Sequence, residues 1–222
     1  MDKDITYKDI AKIIKGEIDL PDEFHEEAAQ YNYNLINPND LLNKNIDDYI
    51  KLPEGTRIEL IDGRFYNMAA PTLLHQEITG YVFNSFFNHI MSNKGPCKTF
   101  ISPVDVQLDK DDKTVVQPDV IIVCNKDKLK NNKLVYGAPD LVVEVLSPSN
   151  FMMDLIVKKR KYKAAGVQEY WVIVPEDRKT IVHKFIDNTD EEILYNFNEE
   201  VPVGIWNDEC KVLLGDLELD YE

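Results

Sequence analysis

The run Leu141-Val142-Val143-Glu144-Val145-Leu146 places an ionisable carboxylate in the middle of the most apolar strand-like segment of this chain. A strand with that pattern is buried on both faces, and an unpaired charge there costs several kcal/mol. A sequence keeps such a group only where a cation or a dense set of hydrogen bonds compensates. Glu144 is therefore the first candidate for chemistry.

The chain is long enough to bury a full core, with 44% apolar residues among 222. No apolar run approaches the ~18–20 residues that span a bilayer. The start Met1-Asp2-Lys3-Asp4 has neither the basic stretch nor the apolar stretch of a signal peptide, so a cytoplasmic location is expected, with no membrane partner. Cys97, Cys124 and Cys210 are odd in number and far apart. That spacing suits neither a disulfide framework nor a zinc knuckle, and ordinary thiols are expected. The net charge of −15 argues against non-specific nucleic-acid affinity, which needs Lys and Arg to displace counterions. It does not exclude an enzyme of nucleic acids. The exception to the acidity is the basic stretch 158–163, where any phosphate-contacting surface is expected.

Ile5, Ile10, Ile13 and Ile14 recur in a helical pattern and are followed by a polar, Asn-rich stretch, 31–45. Residues 1–50 are read as a helical appendage and 51–222 as the main domain. Asp62-Gly63 between two apolar runs signals a hairpin. Pro71-Thr72 opens a helix over about 74–91, with Ile78, Tyr81, Val82, Phe86 and Ile90 as its apolar stripe. Strands are expected at 97–108, 115–124 and 141–146. A second helix over about 151–165 stops at Gly166, and further strands follow at 170–174 and 180–186. The order of helix, three strands, helix and strand describes an α+β fold, a central mixed sheet flanked by helices.

Pro118-Asp119 and Pro139-Asp140 each precede an apolar strand. At ~3.3 Å per residue Asp140 lies roughly 13 Å along the strand from Glu144, too far to share an ion with it. Asp140 is assigned to its own turn. Asp119 is on a neighbouring strand, ~4.8 Å away, and can face Glu144 if the register allows. Two carboxylates so placed make an all-oxygen site suited to magnesium or manganese. In the following helix Asp154, Lys158 and Lys161 share a face. They form either an exposed ion-paired stripe or, in the sharper reading, a route by which Lys158 returns over the carboxylates. His89 and His183 have no paired ligand spacing, and Tyr170 and Trp171 are read as core.

Gln-Pro-Asp-Val-Ile-Ile-Val, Ala-Pro-Asp-Leu-Val-Val-Glu-Val-Leu-Ser-Pro-Ser, then Asp154, Lys158, Tyr162, Ala165-Gly166-Val167 and Glu169-Tyr170-Trp171 together resemble the Uma-two family of the PD-(D/E)XK nuclease superfamily. The resemblance runs from about residue 59 to 175, more weakly to the C-terminus. It implies a restriction-endonuclease-like αβββαβ core, with Asp119 as the aspartate of the PD motif and Glu144 as the central acid. The superfamily's usual lysine, two residues after that acid, is replaced here by Leu146. The family's lysine in the next helix falls on Lys158. Glu59 and His75 match recurring family positions and are accessory candidates; a hairpin charge and a helix-start cap are the alternative roles. Lys159, Lys161 and Lys163 are left outside the first ring of ligands, with Lys161 and Lys163 read as phosphate contacts.

The activity so implied is a Mg2+- or Mn2+-dependent endonuclease acting on DNA, with Asp119 and Glu144 holding the metal, Lys158 positioning the nucleophile and a homodimer admitted as the assembly. The rivals are an inactive nuclease-fold binding or assembly module and a metal-dependent hydrolase of a smaller phosphoester.

Overall fold

A computed structural model describes residues 41–108, 112–129, 133–147, 153–187 and 189–217. The isoleucine pattern at the N-terminus lies outside the described residues. A short helix, α1 (Ile46–Ile50), is capped by Asn45, whose side chain accepts from the Asp48 N–H. Leu41 and Tyr49 of this stretch pack with Ile58, Leu60, Phe65 and Val115. The 50/51 boundary read from the sequence thus falls inside a packed cluster.

The hairpin β1 (Ile58–Ile61) and β2 (Arg64–Asn67) turns at Asp62 and Gly63. Both residues have positive φ, 51° and 76°, the pairing that a type I′ turn requires. Helix α2 (Leu73–Asn93) follows. Thr72 caps it by accepting from the His75 N–H at 3.2 Å.

Two expected strands are each divided in the structure. The 97–108 stretch forms β3 (Lys98–Ile101) and β4 (Val106–Gln107), with Ser102-Pro103 between them. The 115–124 stretch forms β5 (Val115–Val116) and β6 (Val120–Val123), broken at Gln117-Pro118-Asp119. Proline has no N–H to continue a ladder, so at each proline the chain passes between sheets. With β7 (Val135–Tyr136), the smaller sheet runs β2-β1-β5-β4-β7.

The larger sheet runs β11-β10-β9-β8-β6-β3, where β8 is Leu141–Val145, β9 Glu169–Val174, β10 Lys179–Lys184 and β11 Glu191–Asn196. β8 and β9 are parallel, and the helical crossover between them contains α3 (Lys159–Ala165), which ends at left-handed Gly166. α2, β3, β6, β8, α3 and β9 supply the anticipated αβββαβ core. β11, a charged edge strand, was not foreseen. A two-stranded ribbon, β12 (Val201–Pro202) with β13 (Lys211–Val212), completes the fold.

One face of the larger sheet packs Val120, Ile122, Val143 and Trp171 against Ile78, Val82 and Phe86 of α2. Its other face packs Ile121, Val142, Tyr170 and Val172 against Leu155 and Tyr162, with Ile61, Val106 and Val116 of the smaller sheet. Tyr170 and Trp171 are core residues, as expected. The expectation of three separate thiols is corrected. Lys98 pairs with Val123, so the register sets Cys97 opposite Cys124, and the two are joined as a disulfide. Cys210 is free and buried. Among the described residues no helix is long and apolar enough to cross a membrane.

Candidate active site at the junction of two sheets

Glu144 is only 3% exposed. Its strand neighbours Val142 and Leu146 point into the core beneath α3, and alternation sends the Glu144 side chain the same way. Val120 pairs with Val143, a register that carries Asp119 directly opposite Glu144 and onto the same face. Asp119 Oδ2 accepts from the Val145 N–H at 2.8 Å and lies 3.1 Å from His75 Nε2. Asp140 makes the corresponding bond at the far end of the same strand pair, accepting from the Cys124 N–H at 2.7 Å. Each Pro-Asp pair closes the end of its antiparallel neighbour, which accounts for the echo in the sequence and keeps Asp140 out of the site.

Met153–Lys158 is wound as a π-helix that runs into α3. Such turns are frequent at functional sites because they re-aim side chains. Here the turn buries Asp154 and Lys158. Lys158 Nζ stands 2.9 Å from Glu59 Oε1, 3.0 Å from Glu144 Oε1 and 3.0 Å from Asp154 Oδ1. The Tyr162 hydroxyl donates to Glu144 Oε1 at 2.6 Å. The inward face is thus Asp154, Lys158 and Tyr162, at spacings of four, and not an exposed stripe through Lys161. Lys161 turns away to pair with Asp62. Lys159 pairs with Asp190 at 2.8 Å, and Lys163 lies over the Phe185 ring.

Glu59 reaches the cluster from the smaller sheet and is no surface hairpin charge. Its Oε1 also accepts from the Gln117 N–H at 2.8 Å. The Gln117 side chain donates to the Tyr49 hydroxyl at 3.0 Å and to Asp105 Oδ1 at 2.9 Å, which ties α1 to the Gln-Pro-Asp corner. His75 is not the helix cap, a role taken by Thr72; its ring is directed at Asp119. His183 is fully buried beside Asp190, and half-buried His89 stacks on Trp206 at 4.5 Å.

Burial pushes the Glu144 carboxyl well above its ordinary 4.5; Lys158 opposes this, and the neighbouring carboxylates add to it. Burial likewise raises Asp154 to about 6 against the pull of Lys158. Burial works against the Lys158 ammonium, but Asp154, Glu144 and Glu59 outweigh it and hold its pKa well above 10.5. The site therefore contains one firmly charged cation among four carboxyl groups.

Asp154 and Tyr162 are members of the cluster that the sequence reading did not place there, although their spacing of four from Lys158 was visible. Gln117, Tyr49 and Asp105 gave no comparable local signal. The bonds above engage Oδ2 of Asp119 and Oε1 of Glu144. No group of three or more His, Cys, Asp and Glu side chains among the described residues is arranged to hold a metal. Two carboxylates nevertheless suit magnesium, which keeps several waters and uses only one or two protein carboxylates.

No curated protein sequence gives a significant match. Among solved structures, the fold resembles that of a protein from Anabaena variabilis described as "a putative nuclease belonging to DUF820". The two share 20% identity at a TM-score of 0.63, covering 78% of this chain and 96% of that one. A sequence profile of the Uma2 family matches residues 46–204, a span that contains every residue of the cluster. The chain belongs to the Uma2 family, described as "Putative restriction endonuclease".

Proposed function

We propose that this chain is a divalent-metal-dependent endonuclease that hydrolyses phosphodiester bonds in DNA. The observation that carries the reading is the placement of Asp119 and Glu144 opposite each other across two strands, with buried Lys158 3.0 Å from Glu144. Magnesium or manganese bound by these two carboxylates would lower the pKa of a bound water and polarise the scissile phosphate. The chain's own groups would do the rest. His75 and the Val145 N–H fix the Asp119 carboxylate, and Tyr162 fixes Glu144. Lys158 keeps a positive charge at the place where charge builds on the phosphoryl oxygens.

One observation favours the rival, an inactive binding module. The three carboxylates around Lys158 match the three donors of an ammonium, so none is left over for a substrate. The deciding experiment is cleavage of supercoiled plasmid and of single-stranded DNA in magnesium and in manganese, with Glu144→Ala as control. Metal-dependent nicking that Glu144→Ala abolishes supports the endonuclease. Tight binding without cleavage favours the module.

A further inference from the structure

A site with four carboxyl groups and one lysine repels a phosphodiester, so a nuclease built on it needs another cation at its rim. In the helix that the sequence marks as basic, Lys158 and Lys159 are ion-paired, Lys161 is held by Asp62 and Lys163 covers a ring, while exposed Arg160 is two residues from Lys158 and so on the helix face away from the cluster.

Arg57 differs from all of these. It lies two residues before Glu59, and its carbonyl accepts from the Met68 N–H at 3.0 Å, which extends the β1–β2 ladder by one more pair. Alternation then puts Arg57 on the same face as Glu59, about 7 Å along the strand. Glu59 itself accepts from the Gln117 N–H, next to the Pro118-Asp119 pair. Arg57 Nε is shielded from solvent and has no hydrogen-bond partner. Among the described residues no carboxylate or aromatic ring engages the guanidinium either, whereas Arg64 of the same hairpin, whose Nε is likewise without a hydrogen-bond partner, lies over Tyr66. An unpaired arginine two residues from Glu59, a member of the carboxyl cluster, is suited to an anion that arrives from outside.

We infer that Arg57 binds a phosphate of the substrate strand at the rim of the Asp119–Glu144 site. The inference rests on the nuclease reading and adds to it the residue that offsets the acidic surroundings. A guanidinium suits this role because its planar fork grips two phosphate oxygens at once.

The test measures anisotropy of a labelled short DNA duplex with the full chain across a salt series, together with plasmid cleavage in manganese. Arg57→Ala should weaken binding roughly tenfold or more and reduce the slope of log K against log salt by about 0.9, the value of one lost phosphate contact. Arg57→Lys should restore the slope but only part of the affinity, and Arg64→Ala should leave both near the parent. If the parent binds and cleaves while Arg57→Ala keeps its affinity and slope, the inference falls and the nuclease reading stands. A parent that neither binds nor cleaves overturns both. If Arg57→Ala melts early, Arg57→Gln is compared with Arg57→Lys, and equal slopes in those two overturn the inference.

Discussion

Lys158 Nζ lies 2.9 Å from Glu59 Oε1, a contact that joins the helix following β8 to the hairpin of the smaller sheet. Both side chains are buried, so this ion pair also clamps the two sheets together.

Removal of the ammonium should therefore cost stability as well as activity. Lys158→Ala leaves three buried carboxyl groups without their counter-ion, and its unfolding free energy should fall by about 3–5 kcal/mol. Turnover on plasmid should drop roughly a hundredfold or more. Lys161→Ala, whose partner Asp62 is exposed, should cost less than about 1 kcal/mol in the same urea titration. Equal effects of the two substitutions would contradict the placement of Lys158.

Glu144→Gln tests the raised carboxyl. Burial already favours its neutral form, so in metal-free buffer the amide should melt close to the parent, within about 1 kcal/mol. Manganese should raise the melting temperature of the parent and not of the variant. A loss of several kcal/mol without metal would mark Glu144 as a purely structural ion-pair partner.

Tyr162→Phe keeps the ring packed on Tyr170 and removes only the hydroxyl that donates to Glu144. A hydrogen bond to a carboxyl group whose neutral form is favoured contributes about 0.5–1.5 kcal/mol, and chemical denaturation should show a loss of that size. An unchanged midpoint would mean that the hydroxyl is satisfied elsewhere.

Asp154 supplies a pH signature. Its folded pKa of about 6 exceeds its ordinary 3.8, so the folded state holds the proton more tightly than the unfolded chain. The resulting stabilisation is complete below the ordinary value and is lost as pH rises through about 6. Asp154→Asn does not titrate, and its stability relative to the parent should rise between pH 4 and pH 7 in metal-free buffer. A constant difference across that range would show that Asp154 is not raised.

Much of this was legible in one dimension. An acid inside an apolar strand has to be compensated, and that requirement alone singled out Glu144. The Asp-Gly pair, the Thr72 start and the Gly166 stop are local signals, each set by the φ or hydrogen bond that its residue can supply, and the structure contains all three. The cluster around Lys158 was only partly visible, because sequence spacing shows which residues share a helix face but not whether that face is covered. Burial of Asp154 and Lys158, the turning away of Lys161 toward Asp62 and the arrival of Glu59 all depend on the smaller sheet closing over α3. The Cys97–Cys124 pairing likewise depended on the β3–β6 register, which no spacing of cysteines could convey. The local turns, the caps and the buried acid follow from the chemistry of adjacent residues and are written in the chain itself. Which charges meet is a matter of packing, because strand register and the passage of the chain between two sheets at Pro118 are set by the whole core.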